Sequence, residues 1–160
     1  MGRKIVGAKK VAISLHKSLV DVEKDWFLLQ QSGLCTLYQT FEWCKAWQDT
    51  AGNARRIEPL IIRGNLSSGE PVFILPFAVV TTMGARALKW YGAAEITYGM
   101  GIFDREYLTR NPNFLEALWP EIVDMLGNVD SIQLDNQPGK WDGFDNPLKF
   151  LFTSRGANQS

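Results

Sequence analysis

The sequence predicts an α/β or α+β domain in which helices flank a mixed, mostly antiparallel sheet. The predicted order of elements is strand, helix, helix, a meander of three strands, helix and strand, which is typical of layered mixed folds. Two strands of the meander are joined by the short polar stretch NLSSG at 65–69, a composition that indicates a hairpin. The chain has 160 residues, of which 46% are hydrophobic, so one domain with a buried core is expected.

The first third of the chain predicts one strand and two helices. Residues 11–15 (VAISL) are rich in β-branched side chains and alternate weakly, which indicates a strand. Ser18 is expected to cap the first helix and Gly33 to end it. The Thr40 side chain is expected to accept a hydrogen bond from the first turn of the second helix, which ends at Gly52. The apolar helix positions are Leu19, Val22, Trp26, Leu29, Trp43 and Trp47. We interpret the tryptophan pair as core packing, with ligand stacking as the alternative.

The middle of the chain predicts the meander. Residues 56–64 and 70–80 form two antiparallel strands, and Pro76 in the second cannot donate to a sheet ladder. A bulge or a splayed strand is therefore expected near Pro76. Residues 87–92 predict a third strand, and residues 97–104 are expected to resume extended structure.

A third helix and a last short strand complete the prediction. Asn111 is expected to cap this helix with Pro112 at its first position, and Gly127 to close it. Pro120 lies inside the helix and is expected to kink it by freeing the carbonyl of Glu116. The apolar stripe consists of Phe114, Leu115, Leu118, Trp119, Ile122, Val123 and Leu126. A short strand follows in SIQLDN, and the sequence after it is rich in turn-forming residues with few element patterns.

Charge and composition exclude several classes of function. Seventeen basic residues balance seventeen acidic ones, so no global field favours nucleic acid or an anionic membrane surface. The sequence has no apolar run of about 18 residues, and membrane insertion is not expected. Residues 1–10 are interpreted as a flexible leader without a secretory pattern, so the protein is expected to be cytoplasmic. Cys35 and Cys44 are expected to be reduced, partly buried thiols, and with His16 they provide too few ligands for a zinc site.

Four short stretches resemble a known family of acyltransferases. Residues 38–43 (YQTFEW) followed by Trp47 resemble the F-Q-(S/T)-x-x-W opening of the GNAT-type acetyltransferases associated with bacterial cellulose biosynthesis, the CelD-like group. Residues 74–77 (ILPF) resemble that family's LPL strand, 88–99 its L-x-x-x-G strand with a following pair, and 146–148 (NPL) its NPL. Where the family has an acidic-aromatic pair, this chain has Thr97 and Tyr98.

The resemblance implies a specific division of labour. The family resembles two GNAT-like halves in tandem, and residues 11–150 match the first half, with 151–160 a tail or the truncated start of the next element. The resemblance implies acetyl-CoA or another acyl-CoA as the cofactor of the full-length family. It also implies a second half, or a small-molecule acceptor, as the partner. The function expected of this chain alone is non-catalytic.

The glycines near residue 100 do not match a phosphate-binding loop. Gly99 and Gly101 are expected to lie in the predicted strand, whereas a GNAT fold holds the coenzyme pyrophosphate in the loop that enters the next helix. That loop, 104–113, contains no glycine, and Asp104 and Glu106 would repel a pyrophosphate. The chain is therefore expected to bind no cofactor. We interpret Gly99 and Gly101 as a bulge or a close backbone approach, with room for a ligand or second domain as the alternative.

The candidate substrate-binding residues are Trp90, Tyr91, Tyr98 and Asp104, and no catalytic residue or metal ligand is predicted. The aromatic content of 12% also supports a second hypothesis, a stand-alone module that binds a ligand or another protein without catalysis. A third hypothesis is a complete small acyltransferase that acts by positioning its substrates. Its acids near the cleft would be Glu42, Asp104 and Glu106, which are more simply solvated charges.

Overall fold

The computed structural model describes residues 10–92 and 94–152, and a six-stranded mixed sheet lies at its centre. The order of strands is β1-β2-β3-β4-β6, and β5 pairs with β3 beside β4. All of these pairs are antiparallel except β4 with β6. The strands are β1 (Val11–His16), β2 (Glu58–Leu66), β3 (Pro71–Thr82), β4 (Ala85–Trp90), β5 (Ile102–Phe103) and β6 (Ser131–Ile132). The predicted mixed, mostly antiparallel sheet flanked by helices is confirmed.

Four α-helices accompany the sheet in the described part. They are α1 (Glu23–Ser32), α2 (Phe41–Trp47), α3 (Arg105–Arg110) and α4 (Phe114–Leu126). Short 3-10 turns occupy Leu19–Val22, Leu37–Gln39 and Lys149–Phe152, and one π-helical turn, Gln48–Gly52, extends α2. The sequence did not predict α3, because its six residues bury only Leu108 and show no apolar stripe.

The starts of the first two helices differ from the prediction. Ser18 precedes a 3-10 turn and its side chain makes no capping bond. Thr40 lies at the cap position of α2, but its hydroxyl donates to the carbonyl of Leu37 (2.8 Å) instead of accepting from the helix. The first amide of α2, at Phe41, is satisfied by the side-chain oxygen of Gln30 from α1 (2.8 Å). A residue 11 positions away therefore caps the helix, which local spacing does not reveal.

The predicted start of the long helix is also wrong. Asn113 holds the cap position of α4, and Asn111 instead ends α3. The Asn111 backbone amide donates to the carbonyl of Tyr107 (2.9 Å), and its side-chain amide donates to the same oxygen (3.1 Å). Pro112 lies in the turn between the two helices.

The sheet separates two hydrophobic clusters, because successive side chains of β3 point to opposite faces. Phe73, Leu75 and Phe77 belong to the cluster that includes the buried residues of α4. Ile74 and Ala78 belong to the cluster that includes the buried residues of α1 and α2. The central strand β3 thus contributes to the packing on both faces.

Strand β3 continues through Pro76, which pairs with Ile61 of β2, and the register irregularity of this strand pair lies at Gly64 and Asn65 instead of near Pro76. Strand β4 pairs with Phe77–Thr82, whereas β5 pairs with Phe73 and Ile74. Between them the described residues 91, 92 and 94–101 lie outside the strands, and we call these residues the 91–101 segment. The predicted strand at 97–104 is therefore shorter, and Gly99 and Gly101 lie before β5 and not within a strand.

The last described residues contain elements that the sequence did not predict. Strands β7 (Lys140–Trp141) and β8 (Phe144–Asp145) form a separate hairpin, with Asp142 and Gly143 at positive φ in its turn. Residues 1–9 of the expected leader and 153–160 of the expected tail lie outside the described residues.

Candidate functional site

A buried glutamine holds the 91–101 segment against the helical layer. Gln39, which is 1% exposed, donates from Nε2 to the carbonyl of Tyr98 (2.8 Å). Its own carbonyl accepts from the indole nitrogen of Trp26 (2.7 Å), and its side-chain oxygen accepts from the Thr36 hydroxyl. Gln39 is the Q of the family-like opening motif, and the sequence alone assigned it no role. The hydrogen bond from Gln39 to Tyr98 joins two residues that are 59 positions apart in the chain.

Trp90, the last residue of β4, packs against this segment. Its ring lies 5.0 Å from that of Phe77, and the residue is 2% exposed. A Cβ atom on Gly99 would fall 2.3 Å from Cδ1 of Trp90, so only glycine leaves room for the indole. The Trp90 Nε1 is buried and has no hydrogen-bond partner among the described residues.

The other glycines of the segment also make room for internal side chains. A Cβ on Gly101 would fall 2.6 Å from Cδ2 of Leu75, and one on Gly92 would fall 2.5 Å from the Trp43 ring. Gly92 additionally has a φ of 80°, which favours glycine. The close backbone approach expected at Gly99 and Gly101 is what the structure shows.

Tyr91 is buried behind the π-helical turn. Its hydroxyl donates to the side-chain oxygen of Gln48, and its ring lies 5.2 Å from that of Trp47 in an edge-on arrangement. Burial raises the pKa of the Tyr91 phenol well above its ordinary value. The phenol therefore stays protonated near neutral pH, within the cluster that includes the buried residues of α1 and α2.

Tyr98 is the most accessible of the predicted substrate-binding residues. It is 41% exposed, and its ring lies 5.1 Å from that of Trp141 in β7. Beside it, the hydroxyl groups of Tyr38 and Thr97 are hydrogen-bonded (3.0 Å). This arrangement gives the site an open aromatic flank.

Asp104 lies at the start of α3. Its carboxylate accepts from the backbone amide of Tyr107 (2.8 Å), and its own amide donates to the carbonyl of Val72 (2.8 Å). Asp104 is thus a helix cap, a role that favours an acidic residue at the positive end of the helix.

A cavity of about 280 Å³ lies at the end of β4, and we call it the indole cavity. It is lined by Trp47, Arg55, Ile57, Ala78, Val80, Lys89, Trp90, Ala94 and Asp135. Arg55 forms an ion pair with Glu95 (2.7 Å), and the Trp47 indole donates to the same carboxylate (3.3 Å). The hydrogen bond from Arg55 lowers the pKa of Glu95, which keeps this carboxylate ionised.

Lys89 and Asp135 of the indole cavity are not among the residues predicted from the sequence. Lys89 interrupts the apolar run of β4, and Asp135 follows β6. These two features of the sequence could have indicated both residues as candidates for the site. Their proximity depends on the parallel pairing of β4 with β6, which no local spacing encodes.

The residues present do not fit the coenzyme that the resemblance implies. A pyrophosphate would lie at the start of α3, where the Asp104 carboxylate already accepts from the first turn. Glu106 adds a second carboxylate in that turn, which pairs with Arg110 (2.8 Å). Within residues 10–92 and 94–152, no group of three metal-ligating side chains is assembled and no helix is long and apolar enough to cross a membrane.

The fold is similar to those of solved acetyltransferases. A ribosomal-protein-alanine N-acetyltransferase from Brucella melitensis biovar Abortus 2308 is 17% identical, with a TM-score of 0.53 and 94% of each chain covered. A glucosamine-6-phosphate N-acetyltransferase from Arabidopsis thaliana is 10% identical, with a TM-score of 0.44 and 93% of each chain covered. An acetyltransferase from Trypanosoma brucei is 9% identical, with a TM-score of 0.47 and 94% of each chain covered.

The first of these likenesses establishes the GNAT fold that the sequence motifs implied. No family model matches the sequence. A search of curated proteins found no significant match.

Proposed function

We propose that this chain is the N-terminal, non-catalytic half of a GNAT-type N-acyltransferase of the CelD-like group. It shapes an acceptor cleft for a second GNAT-like half, which holds the acyl-CoA. The acceptor is an amine or a sugar-linked group in exopolysaccharide or cellulose metabolism. The GNAT fold and the four family-like stretches support this proposal.

The capping of α3 by Asp104 is the observation that carries the proposal. A carboxylate that accepts from the first turn takes the amide that a phosphate oxygen would need. Two negative charges about 4 Å apart repel by about 1 kcal/mol in water and about 4 kcal/mol near a protein surface. The start of α3 therefore disfavours the coenzyme pyrophosphate.

In this proposal the chain contributes binding and orientation. Trp90 and Tyr91 are buried in the two different clusters that the sheet separates, and Tyr98 with Trp141 forms the open flank on which an acceptor can rest. The thioester of acyl-CoA supplies the acyl group when the second half binds it. Fixing the acceptor amine in one orientation would promote its reaction through proximity.

The test is calorimetry with acetyl-CoA, together with an acetyl-transfer assay on a panel of amines. The chain alone should give no binding heat and no transfer, whereas a GNAT enzyme of known activity, assayed in parallel, gives both. Acetyl-CoA binding or transfer at an enzyme-like rate would contradict the proposal and favour the complete small acyltransferase.

The open flank favours a second candidate function, a stand-alone module that binds sugar rings. Tyr98 and Trp141 form an aromatic pair, and such rings bind the apolar faces of sugars. Oligosaccharides should then change the tryptophan fluorescence of the wild type, and Trp141→Ala should abolish the change. An unchanged wild-type spectrum across the panel would count against this function.

A further inference from the structure

The indole cavity combines apolar walls with two opposite charges that have no partner. Its walls include Trp47 and Trp90, with Ile57 and Val80 beside them. Neither the half-buried Lys89 ammonium nor the exposed Asp135 carboxylate forms a hydrogen bond or an ion pair within residues 10–92 and 94–152. The two groups line the same cavity but are not close enough to form an ion pair of 4.0 Å or less with each other.

The third charged residue that lines this cavity, Arg55, already has a partner. Arg55 pairs with Glu95 at 2.7 Å, and Glu95 also accepts from Trp47. The charges left for a ligand are therefore one ammonium, at Lys89, and one carboxylate, at Asp135. A ligand that satisfies both needs one negative and one positive group.

A second observation concerns the indole of Trp90. Its Nε1 is buried without a partner among the described residues, an arrangement that native proteins rarely leave unexplained. A small adjoining cavity of about 10 Å³ is lined by Trp90, Ile96, Gln133 and Asp135. Such a volume holds about one water molecule. Trp90 and Asp135 thus line both the indole cavity and this smaller cavity.

We propose that the indole cavity binds a small zwitterion with an apolar side group, such as an amino acid with a large apolar side chain. The ligand carboxylate pairs with Lys89, its ammonium pairs with Asp135, and its side group lies against the indoles. The volume of about 280 Å³ is near the lower limit of about 300 Å³ for ligand pockets, which restricts the ligand to this small class. The inference goes beyond the proposed function, because binding here requires no acyl transfer.

The experiment follows the indole N–H signals of the full chain by NMR during titration with L-phenylalanine. The signals of Trp47 and Trp90 should shift in a saturable manner at millimolar concentration, while those of Trp26 and Trp119 stay unchanged. Phenylpropionate lacks the ammonium and phenethylamine lacks the carboxylate, so each should bind at least about tenfold more weakly.

Two pairs of variants test the charges. Lys89→Met and Asp135→Asn should each weaken phenylalanine binding about tenfold. The matched controls Lys24→Met and Asp124→Asn remove exposed charges of α1 and α4, outside the residues that line the cavity, and should leave binding unchanged. A variant is folded if the signals of its NMR spectrum are as widely dispersed as those of the wild type.

Three results would overturn the inference. They are the absence of a saturable shift of the Trp47 and Trp90 signals, equal binding of phenylpropionate or phenethylamine, and unaltered binding by both cavity variants. None of them depends on acetyl-CoA, so failure here is distinguishable from failure of the proposed acyltransferase role.

Discussion

The Trp90 side chain lies against Gly99 and leaves no room for a larger residue there. Because a Cβ there would fall 2.3 Å from Trp90 Cδ1, Gly99→Ala forces the indole or the backbone to move. We expect this substitution to lower the free energy of unfolding by about 1–3 kcal/mol, the usual effect of overpacking a core. Guanidinium denaturation measures the change.

Gly139→Ala is the matched control, because a Cβ at Gly139 meets nothing within 4 Å. Its effect should stay within about 0.5 kcal/mol. Equal stability of the Gly99→Ala and wild-type proteins would show that the space at Gly99 is not needed by Trp90.

The Cys35 thiol makes stability depend on pH in the alkaline range. Burial, with a further contribution from the charge of Glu42, raises its pKa from 9.0 to about 12. Between these values the unfolded chain loses the proton and the folded chain keeps it, so stability falls as pH rises from about 9 to about 12. Denaturation midpoints measured across this range should decrease.

Cys35→Ala separates this thiol from other groups that titrate in the same range. Its denaturation midpoint should fall less steeply with pH, and part of the slope should persist because burial also raises the pKa of Cys44 and Tyr91. An unchanged slope in Cys35→Ala would assign the alkaline effect to those other groups.

Helix α4 contains a proline, Pro120, that its helical conformation does not require. Pro120 is exposed and removes one backbone donor from the helix interior. Pro120→Ala restores that hydrogen bond, which stabilises the helix, but it also gives the unfolded chain more conformational freedom. We therefore expect the free energy of unfolding to rise by about 1–2 kcal/mol. Thermal and denaturant unfolding measure it.

Pro112→Ala serves as the control for Pro120→Ala. Pro112 is exposed in the turn before α4, so its replacement restores no helical bond and should not stabilise the protein. A similar gain in both variants would mean that the effect arises in the unfolded chain and not in α4.

The elements that the sequence predicted correctly are those with a periodic apolar pattern. Strands β1 to β4 and helices α1, α2 and α4 carry this pattern because each buries one face or both. In contrast, β7 and β8 have two residues each and form a local hairpin without such a pattern. β5 and β6 lie within the predicted extended stretches 97–104 and 131–136, but only two residues of each form a strand, through pairing with the distant strands β3 and β4. The same limit applies to the site, because Lys89 and Asp135 meet only through the pairing of β4 with β6.

The whole molecule depends on β3, which links the two hydrophobic clusters. Ile74 packs with α1 and α2 on one face, and Leu75 packs in the cluster with α4 on the other, both at 0% exposure. Since neighbouring residues of one strand serve both layers, the loss of either cluster should destabilise the entire sheet.

Ile74→Ala and Leu75→Ala test this coupling. Each should lower the free energy of unfolding by about 2–5 kcal/mol, as expected when a buried side chain is truncated. The exposed β3 residue Thr81 provides the control Thr81→Ala, whose effect should stay within about 0.5 kcal/mol. In both core variants, circular dichroism and tryptophan fluorescence should give coincident transitions, since one strand holds both layers. Two separate transitions in Ile74→Ala would show instead that the layer of α1 and α2 unfolds independently of the layer that contains α4.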